Sequence, residues 1–219
     1  INSGTLNFKG NKKVGKIFQA ELDKLGFKTY WVTYPKEIKR SGHLFAEMRG
    51  GKGQNILLIG HLDTVFEPDH PFQKYTRKGD TAYGPGVSDM KAGAVSMIYI
   101  MKALDKIGVL HDLNLTLAFT GDEEKTGGPV SIVRKELVEA GKWANIGLGF
   151  EGAVGMNTGT IARRSSSSWV LTTTGIQGHS SQIFKDQLGY GAIFEASRIL
   201  NAFRKELAPE EYLTFNPGT

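Results

Sequence analysis

The chain sets one histidine and several carboxylates where apolar runs end. In NILLIGHLDTVFEP, residues 55–68, the run Ile56-Leu57-Leu58-Ile59 stops at Gly60, and His61 and Asp63 follow two residues apart. Residues two apart in an extended chain project to the same side. A neutral imidazole can bind a metal through one ring nitrogen. Its other N–H then needs an acceptor to fix tautomer and orientation, and Asp63 is placed to supply one. The same pair can also serve structure alone, as a strand-end histidine held by an aspartate.

Three further segments carry related chemistry: GPGVSDMKAG (84–93), FTGDEEKTGG (119–128) and GFEGA (149–153). Asp89 opens a helix out of a Gly- and Pro-rich turn. Ser88 or Asp89 can cap the free N–H groups there. The two oxygens of a carboxylate can instead bridge two cations about 3.5–4 Å apart. Glu123 and Glu124 are adjacent, so their side chains diverge. One can bind metal while the other faces the attacking water as general base; the plainer reading is an acidic surface turn. Glu151 ends the apolar segment Gly147-Leu148-Gly149-Phe150, a costly place for an unpaired charge. There are no cysteines. A metal would be bound through His, Asp and Glu.

The elements that must position these residues follow from periodicity. Val14, Ile17, Phe18, Leu22 and Leu25 keep helical spacing, and Gly26 stops the run. Strands are predicted near 28–34, 43–48 and 55–60, and the turn Arg49-Gly50-Gly51-Lys52-Gly53 predicts that the last two form a hairpin. A helix is predicted over 91–107, with Ala94, Met97, Ile98, Met101 and Leu104 on one face. A buried strand at 113–120, a helix at 131–140 and a short strand at 146–150 follow. Alternating strands and helices argue for an α/β fold, a mixed sheet flanked by helices. In such a sheet the carboxyl ends of parallel strands converge on one edge, and sites form there.

The composition shifts at Arg163-Arg164-Ser165-Ser166-Ser167-Ser168, which reads as a hinge or as a polar edge strand. The expected division is a catalytic, metal-binding domain at 1–163 and a partial α+β lid at 164–219. In the latter, Trp169–Thr174 alternates like a strand. A helix is expected over 188–207, with Ala192, Ile193, Ala196, Ile199, Leu200 and Phe203 inward, and a strand begins at 211–215.

Net charge is +5, from 27 Lys and Arg against 22 Asp and Glu. The basic residues are dispersed, without the aromatics that a base-stacking surface needs. They read as a solvated surface with weak attraction for anionic substrates, and nucleic acid is not an expected partner. No apolar run approaches the ~18 residues of a membrane span. No signal peptide is visible, and because the chain begins at Ile1 an upstream segment is expected to have been removed. The sequence does not fix a location, and a periplasmic or secreted one is favoured over a cytoplasmic one.

The order GHLDTV, GPGVSDMKAG, GDEE, FEG and GHSS resembles the two-zinc metallopeptidases that include carboxypeptidase G, aminoacylase, acetylornithine deacetylase and succinyl-diaminopimelate desuccinylase. The match runs from about Asn2 to Thr219. The segment SSSSWVLTTTGIQGHSS looks most like the glutamate carboxypeptidase branch.

This resemblance implies two zinc ions, with cobalt or manganese as alternatives. His61 would bind one ion, Asp89 would bridge both, Glu151 would complete the His61 site and Glu124 would bind the other. Glu123 would be general base and then acid, with Asp63 orienting His61. The Asp89-Met90 bond is expected to be cis. His179, in GIQGHSS, matches a lid histidine that helps stabilise the oxyanion in the partner's site of dimeric members, so a homodimer through the lid is implied. The family's last zinc ligand lies after the lid. The sequence therefore reads as a fragment that should be inactive by itself. The implied substrates are small peptides or N-acyl amino acids, and the implied reaction is release of a C-terminal amino acid such as glutamate. An N-acyl amino acid deacylase is the alternative within the class, and a non-catalytic metal-binding or dimerising relative the alternative outside it.

Overall fold

The computed structural model describes residues 1–207 and 210–218. The chain divides into two compact units, Ile1–Met156 and Asn157–Thr219.

In the first unit, helix α1 spans Phe8–Lys24. The Asn7 side chain accepts from the Gly10 N–H at 3.0 Å, satisfying one of the free donors of the first turn. Val14, Phe18 and Leu22 are buried, but Ile17 lies 52% exposed at the edge of the apolar stripe. Strands β1 (Lys28–Val32), β2 (His43–Met48) and β3 (Asn55–His61) follow, then a small hairpin of β4 (Thr76–Lys78) and β5 (Thr81–Tyr83). Helix α2 covers Ala92–Lys106, β6 Asn114–Thr120, α3 Val130–Val133, α4 Lys135–Trp143 and β7 Ile146–Gly149.

The five long strands form one mixed sheet in the order β1-β2-β6-β3-β7. β2 runs antiparallel to both β1 and β6, while β6, β3 and β7 are parallel. The expected β2–β3 hairpin is therefore not formed, because β6 lies between these strands. The turn at 49–53 spans the start of β6 instead of closing a pair. Lys52 N–H donates to Asp112 O at 2.9 Å, Gly50 N–H donates to Asn114 Oδ1 at 3.0 Å, and the Asn114 amide donates to Gly51 O.

Strand alternation sends side chains to two cores. Leu44, Leu58, Leu115, Leu117 and Phe119 pack with Leu22 of α1 and with Met97 and Met101 of α2 on one face. Phe45, Leu57 and Ala118 meet Ala140 of α4 on the other. Each fully buried Leu or Phe contributes roughly 1.5–3 kcal/mol. The single helix expected at 131–140 is interrupted at Arg134 (φ −109°, ψ 1°), whose side chain is drawn aside to Asp122.

In the second unit, α5 spans Ala192–Leu207, preceded by a short 3-10 turn at Ser180–Gln182. The strands expected at 169–174 and 211–215 are not formed. An alternating segment becomes a strand only where a neighbour completes its hydrogen bonds, and these segments pair with nothing among the described residues. The expected inward face of α5 also differs. Ala192, Ala196 and Ile199 are half-buried, but Ile193 is 84% and Phe203 51% exposed.

Candidate active site

Because β3, β6 and β7 are parallel, their carboxyl ends share one edge of the sheet. β3 delivers His61 opposite Thr120, and β7 ends just before Glu151. Asp89 arrives from the turn ahead of α2. No side chain caps that helix. Asp89 turns to the histidine instead, and the Asp89-Met90 bond is cis, as the sequence resemblance implies. Gly93 lets α2 press against the end of β7, since a Cβ there would stand 1.9 Å from Phe150 O.

The His61 side chain is buried, and Asp89 Oδ1 stands 3.0 Å from its Nε2, Glu151 Oε1 3.4 Å and Glu123 Oε2 3.9 Å. The other ring nitrogen, Nδ1, lies 3.0 Å from the main-chain carbonyl of Asp63 and 3.5 Å from its Oδ1. The tautomer is thus set by the Asp63 carbonyl at hydrogen-bond distance, with the carboxylate beside it.

The Asp63 carboxylate has another task. It accepts from Thr5 Oγ1 at 2.7 Å, from Glu123 N–H at 3.0 Å and from Glu124 N–H at 3.1 Å. It therefore fixes the main chain of the acidic pair. Asp122, the first acid of that segment, is fully buried. Its Oδ1 meets Arg134 Nη1 at 2.6 Å, and its Oδ2 accepts from Gly127 N–H at 2.8 Å. Sequence reasoning missed Thr5, Asp122 and Arg134. The one available signal was that Asp122 follows a buried strand directly, as His61 does.

The charges respond to this crowding. Burial lowers the His61 pKa, but the carboxylates of Asp63, Glu151 and Glu123 outweigh it and carry it from its ordinary 6.5 to about 9. Burial would raise Asp63, yet its contacts with His61, Thr5 and the Glu123 N–H leave it lowered. Burial raises Glu124, and nearby Asp89 adds to the rise. Glu151 is raised by burial, opposed by His61 and supported by Asp89 and Glu123.

One donor atom each from His61, Asp89 and Glu151 lie within 4.8 Å of one another. A tetrahedral zinc site with bonds of about 2.0–2.1 Å has edges of roughly 3.3 Å between ligand atoms. The 3.0 and 3.4 Å separations from Nε2 to Asp89 and Glu151 match such edges, whereas Glu123 stands farther out. Crowded carboxylates that repel one another are also what a divalent cation would relieve. The donor set fits the metal. Glu124 stands beside this group, joined to it through Asp63. His179 belongs to the second unit, where its Nδ1 meets Ser181 Oγ at 2.9 Å and caps the 3-10 turn.

Residues 57–202 match the family described as peptidase family M20/M25/M40. This chain belongs to that family. Among its M20 relatives, carboxypeptidase G2 of Pseudomonas sp. (strain RS-16) is 31% identical over 91% of this chain and 47% of its own length. Succinyl-diaminopimelate desuccinylase of Bordetella petrii is 32% identical over 60% of this chain and 37% of its own. The chain thus spans less than half the length of these relatives. The fold is that of an M20 metallo-carboxypeptidase from Sulfolobus solfataricus, with TM-score 0.55 at 22% identity over 69% of this chain and 35% of the other. A tripeptidase from Staphylococcus aureus gives 0.54 at 21% identity, over 70% and 40%.

Proposed function

We propose that the protein is a zinc-dependent hydrolase of amide bonds that releases a C-terminal amino acid, such as glutamate, from a small peptide. The carrying observation is His61 Nε2 facing Asp89 and Glu151 at ligand-edge spacing, with Glu123 just outside at 3.9 Å. The match to carboxypeptidase G2 over 91% of the chain supports the direction of cleavage.

His61, Asp89 and Glu151 would hold one zinc, with Asp89 and Glu124 turned to a second. Cobalt or manganese suits the same nitrogen and oxygen donors. The bound metal supplies Lewis-acid polarisation of the carbonyl and an easily deprotonated water. Glu123 takes a proton on its carboxylate as the water oxygen bonds to the carbonyl carbon. As the C–N bond breaks, the same carboxyl gives that proton to the departing nitrogen, leaving an acid and an amine. Asp63 keeps Glu123 in place through its main chain. Oxyanion stabilisation by His179 and homodimerisation through the second unit belong to the same reading and rest on the GIQGHSS match.

The similarity to a desuccinylase favours a second reading, deacylation of N-acyl amino acids. Hydrolysis of matched substrates by the full-length enzyme with added zinc separates the two. Peptides with a free C-terminal carboxylate should be cleaved at their last bond, and their C-terminal amides should not. Preferred cleavage of N-acyl amino acids would replace the first reading with the second, and no zinc-dependent hydrolysis of either class would remove both.

A further inference from the structure

The segment Ser3-Gly4-Thr5 is fully buried although it precedes the first helix. Here a short parallel bridge joins Gly4 to Thr64. Thr64 N–H donates to Ser3 O at 2.9 Å, Thr5 N–H donates to Thr64 O at 3.2 Å, and the Asn11 amide donates to Gly4 O at 2.9 Å. Gly4 permits this fit, since a Cβ there would stand 2.7 Å from the Glu67 Cα. These contacts set the Thr5 hydroxyl 2.7 Å from Asp63 Oδ2.

We infer that Thr5 is a positioning residue: its buried hydroxyl fixes the Asp63 carboxylate in the orientation that holds the main chain of Glu123 and Glu124. Asp63 is 0% and Thr5 1% exposed, so water is not at hand to replace the hydroxyl. The carboxylate spreads its acceptors over two loops, Oδ1 to Glu123 and Oδ2 to Thr5 and Glu124. Without the hydroxyl, Oδ2 keeps only the 3.1 Å bond from Glu124, and the carboxylate loses the shortest of the contacts that hold it against turning about its Cβ–Cγ bond. The Glu123 main chain then loses its fixed acceptor. The consequence for turnover rests on the hydrolase reading above; the consequence for the loop does not.

The test compares Thr5→Val, which keeps the shape, with Thr5→Ser, which keeps the hydroxyl, and with Thr5→Ala as a second hydroxyl-free variant. Amide hydrogen exchange at Glu123 and Glu124 is read by NMR, beside zinc content, kcat and KM, in the full-length enzyme. In the Val and Ala variants the two amides should exchange about tenfold faster, while the core amide of Leu117 is unchanged. Their kcat should fall roughly tenfold with KM within about twofold and zinc content unchanged, and Thr5→Ser should restore both readouts. Unchanged exchange at Glu123 and Glu124 overturns the inference. So does faster exchange that includes Leu117, which marks general loosening, and so does faster exchange with unchanged kcat. Faster exchange at the two amides in a protein that hydrolyses no peptide or N-acyl amino acid upholds the hold on the loop and removes the hydrolase reading instead.

Discussion

His61 Nε2 and Asp89 Oδ1 stand 3.0 Å apart, although 28 residues separate them in the chain. With Nδ1 turned to the Asp63 carbonyl as a donor, Nε2 must also carry a proton to donate to Asp89. A metal at Nε2 takes the place of that proton.

A pH dependence follows. Without metal, the folded His61 pKa of about 9 lies above its ordinary 6.5. Its contribution to stability is therefore full below about 6.5 and is lost as pH rises through about 9. Zinc binding at pH 7.5 should release about one proton from His61. Calorimetry in buffers of different ionisation enthalpy measures this. Binding without proton release would show that His61 is already neutral or is not a ligand.

In the full-length enzyme, Glu123→Ala should leave metal content near normal while kcat falls by roughly two to four orders of magnitude. Its position 3.9 Å from the His61 nitrogen, outside the ligand spacing, is the motive. A variant that loses zinc in step with activity would make Glu123 a ligand and exchange its role with Glu124.

Asp89→Asn should weaken both metal positions together. An amide offers one good acceptor oxygen and no charge, where a bridging carboxylate offers two oxygens and a negative charge. Metal analysis showing one zinc retained with unchanged affinity would contradict bridging.

Arg134→Met should destabilise the fold by about 3–5 kcal/mol, because it strands Asp122, a buried carboxylate, without its partner. Denaturant unfolding reads the change. A loss under about 1 kcal/mol would show that the Gly127 N–H suffices for Asp122.

Parts of this architecture are readable along the chain, and parts are not. The apolar run Ile56-Leu57-Leu58-Ile59 marks a strand, and residue spacing puts His61 and Asp63 at its end. Carboxylates that follow apolar runs announce Glu123 and Glu151, because such charges are costly there without a partner, whereas Asp89 is marked by the Gly- and Pro-rich turn ahead of a helix. Strand order is another matter. The glycines of 49–53 look the same whether the turn closes a hairpin or spans a third strand, and only pairing with β6 decides. The contacts of Thr5 with Asp63 and of Arg134 with Asp122 join residues with no periodic relation, so nothing in their spacing signals them. In the second unit, alternation at 169–174 met no pairing strand.

The most direct test of a zinc-dependent hydrolase centred on His61 is peptide hydrolysis by the full-length enzyme, measured after chelation and again after zinc is restored, in the unaltered protein and in His61→Ala. The expected result is turnover that disappears with the chelator and returns with zinc in the unaltered protein only. Hydrolysis that survives chelation, or that zinc restores equally in His61→Ala, would contradict it.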